Sequence, residues 1–212
     1  MDLIRSWLVI MLYQNSFNEL EDYVTPSEVI EFLYCPRFTY YMKCLGIDQH
    51  EEKRFKVQLG REKHLSKSNS SVDYVRKRIG GVSKEQEKYL ISKTYKIKGI
   101  VDEIYLLNDG SYAPLDYKFA EYKEKDFETY KMQMAFYSLM IEEIYGISVK
   151  KFFLVYLRSK NLIKEQDFDD KLRKKCTKYL EQYEKIIKGY YPKATASKMR
   201  CIDCCYRNIC EQ

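Results

Sequence analysis

The sequence predicts an α/β (α+β) protein, because segments typical of strands and of amphipathic helices alternate along its second half. Three observations support this prediction. Tyr95–Tyr122 has the pattern of a β-hairpin, Tyr122–Tyr145 repeats apolar residues at helical spacing, and Val149–Arg158 contains the apolar run FFLVYL. With 212 residues, the chain can bury a substantial core and is expected to form one domain.

The composition is compatible with a nucleic-acid partner but does not identify one. The formal net charge is +6, with charged residues making up 32% of the chain. The 21 tyrosines could stack on bases, although most are expected in the core. No Walker-type glycine-rich loop is present, so the sequence gives no sign of an attached ATPase motor.

Two features predict a cytoplasmic protein without a membrane partner. The N-terminal apolar run Trp7–Tyr13 is too short to span a bilayer, and no small-residue cleavage site follows it. A packed helix is expected there, and the alternative is a weak resemblance to a signal peptide, because Arg5 precedes the run. The seven cysteines are odd in number and clustered, which argues against a disulfide framework and favours a metal or cluster in a reducing compartment.

The first helices are predicted from their start signals. Thr25–Glu28 is a capping box with proline at the first helical position. The helix should end at Pro36, where a second helix begins, so that Cys35 lies at the positive end of that second helix. This position favours a ligating thiolate, and a buried structural cysteine is the alternative. Another helix is predicted over Glu51–Lys67, containing His64, whereas Val72–Gln86 has no assignable pattern.

The hairpin brings two acidic residues together. If Asn108-Asp109-Gly110 forms a three-residue turn, Leu107 faces Ser111 and Asp102 faces Asp116 across the strands. Asp116 and Lys118 then share one face of their strand, together with Ile100, Ile104 and Leu106 of the partner strand.

This pairing has a chemical consequence. Two carboxylates about 5 Å apart at their Cβ atoms repel each other, and a divalent cation is the simplest way to neutralise them. Lys118 beside them suits a phosphate. The alternative is that Asp102 and Asp116 are strand-end residues in water and Lys118 forms a surface ion pair. Pro114 implies an edge, a bulge or a strand start at its position.

The second half of the chain continues with helices and strands. The helix Tyr122–Tyr145 should end at Gly146, with Gln133 and Tyr137 adjacent on its surface; ordinary packing is the alternative interpretation of that pair. A strand is predicted over Val149–Arg158, pairing with Asn161–Phe168, and then a helix over Asp169–Tyr190. The apolar stripe expected on the first helix is Phe127, Tyr130, Met134, Tyr137, Ile141 and Ile144, and the one on the second is Leu172, Cys176, Tyr179, Tyr183 and Ile186.

The C-terminal tail contains a ligand pattern. Cys201-x2-Cys204-x5-Cys210 places three thiols within ten residues, and Cys35 is the obvious fourth ligand. Cys205 is a rival to Cys204. The spacing leaves zinc and an iron–sulfur cluster both open.

Taken in order, these motifs resemble the RecB-type nucleases of the PD-(D/E)XK superfamily. More narrowly, they resemble the CRISPR-associated exonucleases that form the fourth numbered Cas family. The resemblance runs from about Thr25 to Cys210. It implies a restriction-endonuclease-like core with a central mixed sheet flanked by helices. It further implies one domain over 1–212, with an extension at 1–24, cluster-binding segments at 25–50 and 191–212, and a nuclease core at 51–190.

The resemblance also implies site roles. Gly60–His64 matches a G-x3-H motif whose histidine is a metal ligand, Gly99–Asp102 matches G-x-x-D, and Asp116–Lys118 matches (D/E)-x-K. The implied metal ligands are His64, Asp102, Asp116 and the Tyr117 carbonyl, and the implied catalytic lysine is Lys118. Gln133 and Tyr137 match Q-x3-Y, which lies beside the catalytic core and the DNA. The implied ligands of an iron–sulfur cluster, commonly [4Fe–4S], are Cys35, Cys201, Cys204 and Cys210.

The implied activity is a Mg²⁺- or Mn²⁺-dependent DNA exonuclease that acts 5′-to-3′ on single strands and trims prespacers for the CRISPR integrase. Three alternatives remain open at this stage. One is a repair or recombination nuclease outside CRISPR. Another is a non-catalytic DNA-binding module stabilised by zinc or a cluster. The third is a structural subunit of the integrase complex.

Overall fold

The computed structural model describes residues 23–48, 72–124, 127–202 and 204–211. The predicted helix of 51–67 with His64 lies outside these residues, as do residues 1–22 of the predicted extension 1–24, including its Trp7–Tyr13 helix. Within the described ranges, no helix has the length and apolar character needed to cross a membrane.

The described elements alternate between helices and strands in the second half of the chain, as predicted. The strands are β1 (Gly81–Ser92), β2 (Ile97–Leu107), β3 (Tyr112–Lys118), β4 (Lys151–Tyr156) and β5 (Leu162–Asp167). The helices are α1 (Pro26–Tyr34), α2 (Pro36–Thr39), a π-helical turn (Tyr40–Cys44), α3 (Val72–Ile79), α4 (Glu128–Tyr145), α5 (Asp170–Ile187) and α6 (Lys198–Ile202).

The five strands form one mixed sheet in the order β1-β2-β3-β4-β5. Neighbouring strands are antiparallel except β3 and β4, which are parallel and are joined through α4. Side chains of β4 alternate between two cores: Leu154 packs with residues of α1, α4 and α5, whereas Phe153 packs with residues of α3. Helices therefore flank both faces of the sheet, which confirms the predicted α/β architecture.

The predicted hairpin register is correct. The Leu107 amide donates to the Ser111 carbonyl at 2.9 Å, and Glu103 pairs with Leu115. Gly110 has φ +77°, the left-handed conformation that the turn requires. Pro114 is tolerated inside β3 because the pairing of β3 with β4 begins only at Leu115, so its missing N–H breaks no ladder on that side.

Helix boundaries follow the predicted signals at some ends but not at others. Both hydrogen bonds of the Thr25–Glu28 capping box form, and Gly146 ends α4 with φ +65°. However, α4 begins at Glu128 rather than at residue 122. The predicted single apolar stripe of α4 is also wrong, because every residue of 132–141 is buried. The reason is that the sheet, α1 and α5 all pack against this helix.

Strand β1 and helix α3 occupy the segment to which no pattern could be assigned. The first nine residues of β1 are half-buried or exposed, and only Leu90 and Ser92 are buried within it. As an edge strand of the sheet, β1 needs no regular alternation of apolar residues. This explains why its pattern is missing from the sequence.

The last strand and the long C-terminal helix match the prediction closely. β5 pairs antiparallel with β4, which is shorter than predicted and is preceded by an isolated bridge at Val149. Cys176 of α5 is fully buried in the predicted stripe, and burial raises the pKa of its thiol to about 12. It is therefore a core residue with an unreactive thiol.

Candidate active site and cysteine cavity

The two acidic residues of the hairpin lie on adjacent strands, as the register requires. Asp116 of β3 is 4% exposed, and Asp102 of β2 is half-buried. The Tyr117 backbone N–H donates to Asp102 Oδ2 at 3.4 Å, which brings Asp102 to the segment that carries Asp116. The interpretation of these acids as solvated strand-end residues is therefore wrong for Asp116, which lies in the interior of the protein.

The ammonium group of Lys118 lies between β3 and α4. Its Nζ is 2.7 Å from Asp116 Oδ2 and donates to Gln133 Oε1 at 2.5 Å. It also lies 4.7 Å from the ring centroid of Tyr130. The Lys118 side chain is only 13% exposed, so this is a largely buried ion pair rather than the alternative surface pair.

Gln133 and Tyr137 of α4 extend this network. Gln133 Nε2 donates to the Tyr137 hydroxyl at 3.1 Å, and both side chains are buried. Burial raises the pKa of Tyr137, and the negative charge of Asp116 raises it further, so Tyr137 remains a neutral phenol. The pair therefore does more than pack, because it links the helix to Lys118 by hydrogen bonds.

Replacing Gln133 by leucine is expected to lower the cleavage rate by about 10- to 100-fold, the usual effect of losing an orienting partner. The reason is that Lys118 would keep Asp116 as a partner but lose the acceptor that fixes its direction. Ser138→Ala is a matched control on the same helix, since the Ser138 hydroxyl is also buried and donates to the Met134 carbonyl of its own helix. Single-turnover cleavage rates compare the two variants, and equal rates would contradict the orienting role of Gln133.

Gly99, three residues before Asp102, permits a close approach of other elements to β2. A Cβ atom at this position would lie 3.0 Å from Pro26 Cδ and 3.5 Å from Tyr137 Cε1. Pro26 begins α1, so the start of this helix and the Tyr137 ring both pack over the glycine. The glycine of the G-x-x-D motif therefore has a packing role in this chain.

Glu103 is a buried charged residue that the sequence analysis did not single out. It is 3% exposed and follows Asp102 in β2. It accepts a hydrogen bond from the Tyr117 hydroxyl at 3.1 Å, so the Tyr117 ring points away from the acid pair. Burial and the charge of Glu103 both raise the pKa of Tyr117. The sequence feature that could have identified Glu103 is an acidic residue within a largely apolar strand.

The acid pair has the donor chemistry for a hard divalent cation, because Mg²⁺ and Mn²⁺ prefer carboxylate oxygens. The predicted partner ligand His64 is outside the described residues. Across the ranges that the structure describes, no three His, Cys, Asp or Glu side chains are arranged as ligands of one ion. What the described site supplies is a buried carboxylate, a second carboxylate on the neighbouring strand and a lysine.

The four predicted cluster cysteines line one small cavity. Cys35 lies at the junction of α1 and α2, while Cys201, Cys204 and Cys210 come from the tail. Burial raises the pKa of Cys204, and the other three thiols raise it further, which reflects their proximity. Cys205 is exposed and does not line this cavity.

Hydrogen-bond donors lie beside these sulfurs. Arg37 Nη1 donates to Cys210 Sγ at 3.2 Å, and the Thr195 backbone N–H donates to Cys35 Sγ at 3.4 Å. The Arg37 guanidinium also lies 4.6 Å from the centroid of the Tyr191 ring. These two donors would stabilise the thiolate form of Cys210 and of Cys35.

Hydrogen bonds around the cavity join the two ends of the described chain. The Tyr34 hydroxyl donates to the Arg200 carbonyl at 2.8 Å, and Arg200 Nη1 donates back to the Leu33 carbonyl at 3.0 Å. The Tyr206 hydroxyl donates to the Ile47 carbonyl at 2.7 Å. The tail is therefore attached to the first helices beside the cysteines.

Two opposed acids lie on neighbouring strands of this mixed sheet, with a lysine two residues after the second acid. The sequence matches the PD-(D/E)XK nuclease superfamily over residues 45–211, and the chain belongs to that superfamily. It is accordingly an enzyme of the phosphodiester-hydrolysing class. This confirms the family that the motifs predicted.

Two characterised relatives are similar over most of their length. A CRISPR-associated exonuclease Cas4 from Thermoproteus tenax is 24% identical over 187 residues, which are 88% of this chain and 93% of that protein. A CRISPR-associated exonuclease Cas4 from Francisella tularensis subsp. novicida is 27% identical over 186 residues, 85% of this chain and 89% of that protein. The fold is similar to the crystal structure of SSO0001, with a TM-score of 0.56, 20% identity, and coverage of 95% of this chain and 96% of that one.

Proposed function

We propose that this chain is a Mg²⁺- or Mn²⁺-dependent DNA exonuclease that degrades single strands 5′-to-3′ and trims prespacers during CRISPR adaptation. The observation that carries the proposal is the position of Lys118 Nζ between Asp116 and Gln133. Lysines are rarely buried in this way, and the position of Lys118 against a carboxylate fits the catalytic lysine that the resemblance implies. The similarity to two CRISPR-associated exonucleases supports the biological assignment.

The proposed metal ligands are Asp102 and Asp116, joined by His64 and the Tyr117 carbonyl as the resemblance implies. The oxygen-rich donor set fits Mg²⁺ or Mn²⁺, because these cations prefer carboxylate and carbonyl oxygens. When bound, such an ion would polarise the phosphodiester and make water easier to deprotonate.

The residues of the chain have separate roles in this proposal. Lys118 would donate to a phosphate oxygen and stabilise the charge that builds there. Gln133 would orient the lysine, and Tyr137 would hold Gln133 while remaining protonated. Asp116 would have two roles: it would hold Lys118 through their ion pair, and it would bind the cation.

The proposed role of Cys35, Cys201, Cys204 and Cys210 is to bind an iron–sulfur cluster, [4Fe–4S] by resemblance. Their common cavity supports this assignment, as do the hydrogen bonds donated to Cys35 and Cys210. The cluster would fasten segment 191–212 to segment 25–50 next to the nuclease core. A cytoplasmic location fits cysteines used as ligands rather than as disulfides.

The proposed partners are DNA and the CRISPR integrase complex. The net charge of +6 favours association with a polyanion. The integrase follows from the similarity to the CRISPR-associated exonucleases, since prespacers are delivered to that complex.

The test of the proposed activity is degradation of single-stranded DNA by anaerobically purified protein. Substrates labelled at the 5′ end and at the 3′ end are incubated with Mn²⁺, with Mg²⁺ and with EDTA. We expect cleavage with either metal and none with EDTA, because the acid pair needs a cation. A 5′ label should appear first in the shortest products, as 5′-to-3′ degradation requires.

The outcomes separate the alternatives. Release of the 3′ label first would reverse the proposed polarity while keeping the nuclease activity. Metal-independent binding of DNA without any cleavage, by protein with a full complement of iron, would instead favour a non-catalytic subunit.

A further inference from the structure

A fully buried carboxylate lies behind the active site, on the side of the sheet where the Tyr117 ring packs. Glu103 is 3% exposed and accepts hydrogen bonds at both of its oxygens. Lys84 Nζ at 2.6 Å and Gln86 Nε2 at 2.9 Å donate to Oε1, and the hydroxyls of Tyr105 at 2.7 Å and Tyr117 at 3.1 Å donate to Oε2. Such a satisfied network fixes the geometry of its members.

The donors to Glu103 come from three strands, and one of them belongs to the active-site motif. Tyr117 lies in β3 between Asp116 and Lys118, while Glu103 follows Asp102 in β2. The hydrogen bond between the Tyr117 and Glu103 side chains therefore joins the two short segments that carry the acid pair. Because the Tyr117 ring and the Asp116 carboxylate are on opposite sides of β3, this bond acts from behind the site.

The backbone pairing around the acid pair explains why this link matters. The register pairs of β2 and β3 run from Leu106–Tyr112 to Glu103–Leu115, and Asp102 and Asp116 are the next positions. There the connection is a long hydrogen bond of 3.4 Å from the Tyr117 N–H to Asp102 Oδ2. The bond between Tyr117 and Glu103 is the side-chain contact that reinforces it.

Strand β1, which pairs with β2, has an irregular backbone conformation at the residue opposite Asp102. Glu87 of β1 has φ +49°, a left-handed conformation that is unfavourable for a residue with a side chain. It lies level with Asp102, between two regular register pairs, Gln86–Glu103 and Lys88–Val101. The backbone around Asp102 is thus not held by a regular ladder alone.

We infer that Glu103 and Tyr117 form a positioning pair, which sets the separation of Asp102 and Asp116 and thereby the affinity of the site for its divalent cation. This inference rests on the proposed function, since it requires that the two acids bind the metal. Neither Glu103 nor the Tyr117 hydroxyl touches metal or substrate in this arrangement. The effect arises because ligand oxygens of such cations must be placed within narrow distances, and loss of an orienting partner typically weakens metal affinity about 10- to 100-fold.

The structure offers a matched pair of variants to test this. Tyr117→Phe and Tyr105→Phe each remove one hydroxyl that donates to the same oxygen, Glu103 Oε2. Tyr105 is in the same strand as Glu103, two residues away, so its bond cannot set the distance between β2 and β3. Only the bond from Tyr117 crosses to the strand of Asp116.

The measurement is Mn²⁺ binding in the absence of DNA. The concentration of free Mn²⁺ is determined from its electron paramagnetic resonance signal. Asp116→Ala gives the background from other sites. We expect Tyr117→Phe to weaken the Asp116-dependent binding about 10-fold and Tyr105→Phe to change it less than about twofold. Both variants should lower the melting temperature by a similar amount, since each loses one buried hydrogen bond.

The possible results lead to different conclusions. If wild type binds Mn²⁺ and cleaves DNA, and both Phe variants bind the ion as tightly as wild type, the positioning role is wrong and the proposed function stands. Equal weakening in both variants also overturns the role, because any bond to Glu103 would then suffice. If wild type shows no Asp116-dependent Mn²⁺ binding, the proposed metal site fails together with this inference.

Discussion

Replacing Asp116 by alanine is expected to reduce Mn²⁺-dependent cleavage of single-stranded DNA on the order of 10³-fold or more. Two functions are lost together in this variant. The cation would lose a proposed carboxylate ligand, and Lys118 loses the oxygen that lies 2.7 Å from its Nζ. The measurement is a single-turnover time course on end-labelled DNA at saturating Mn²⁺.

The fold should survive this substitution. Lys118 keeps its hydrogen bond to Gln133, and the substitution opens space for only a few atoms in β3. Circular dichroism and thermal unfolding check that expectation. Lys118→Ala should lose activity to a comparable extent, since it removes the group proposed to contact the phosphate.

Asp167→Ala is the matched control for Asp116→Ala. Asp167 is an exposed carboxylate of β5, so its removal changes the net charge equally without touching the site. Cleavage by this control should equal that of wild type. Full activity in purified Asp116→Ala would show that the acid pair is not the metal site.

Replacing Cys204 by alanine is expected to remove nearly all protein-bound iron and to make the protein poorly soluble. Cys204 lines the cavity that Cys35, Cys201 and Cys210 also line, and a cluster that loses one of four thiolate ligands is not retained in full. Without it, the tail would depend on its hydrogen bonds and ring contacts with the first helices. Iron per chain, measured after anaerobic purification, gives the result together with the visible absorption of the cluster.

Cys205→Ala provides a control one residue away. Cys205 is exposed and does not line the cavity, so this variant should retain iron and solubility like wild type. The opposite result, with iron retained in Cys204→Ala and lost in Cys205→Ala, would make Cys205 the ligand. Zinc in place of iron in wild type would keep the cysteine set but change the proposed cofactor.

Part of this protein was determined by local sequence. The capping box of Thr25, the left-handed turn at Gly110 and the helix end at Gly146 form as predicted, because each depends on a few neighbouring residues. The opposition of Asp102 and Asp116 also follows from the sequence, since a three-residue turn fixes the register of a hairpin. The cysteine spacing likewise singled out residues that the fold brings to one cavity.

Other features required the tertiary structure. Sequence could place Gln133 and Tyr137 on one side of a helix, but only the packing of α4 on the sheet brings Gln133 to Lys118. The sequence of strand β1 shows no alternation of apolar and polar residues, because an edge strand can remain polar. The network of Glu103 likewise joins residues of three strands, and its hydrogen bonds depend on distances that no local spacing encodes. Local rules thus determined turns, caps and register, whereas long-range packing decided which polar groups meet.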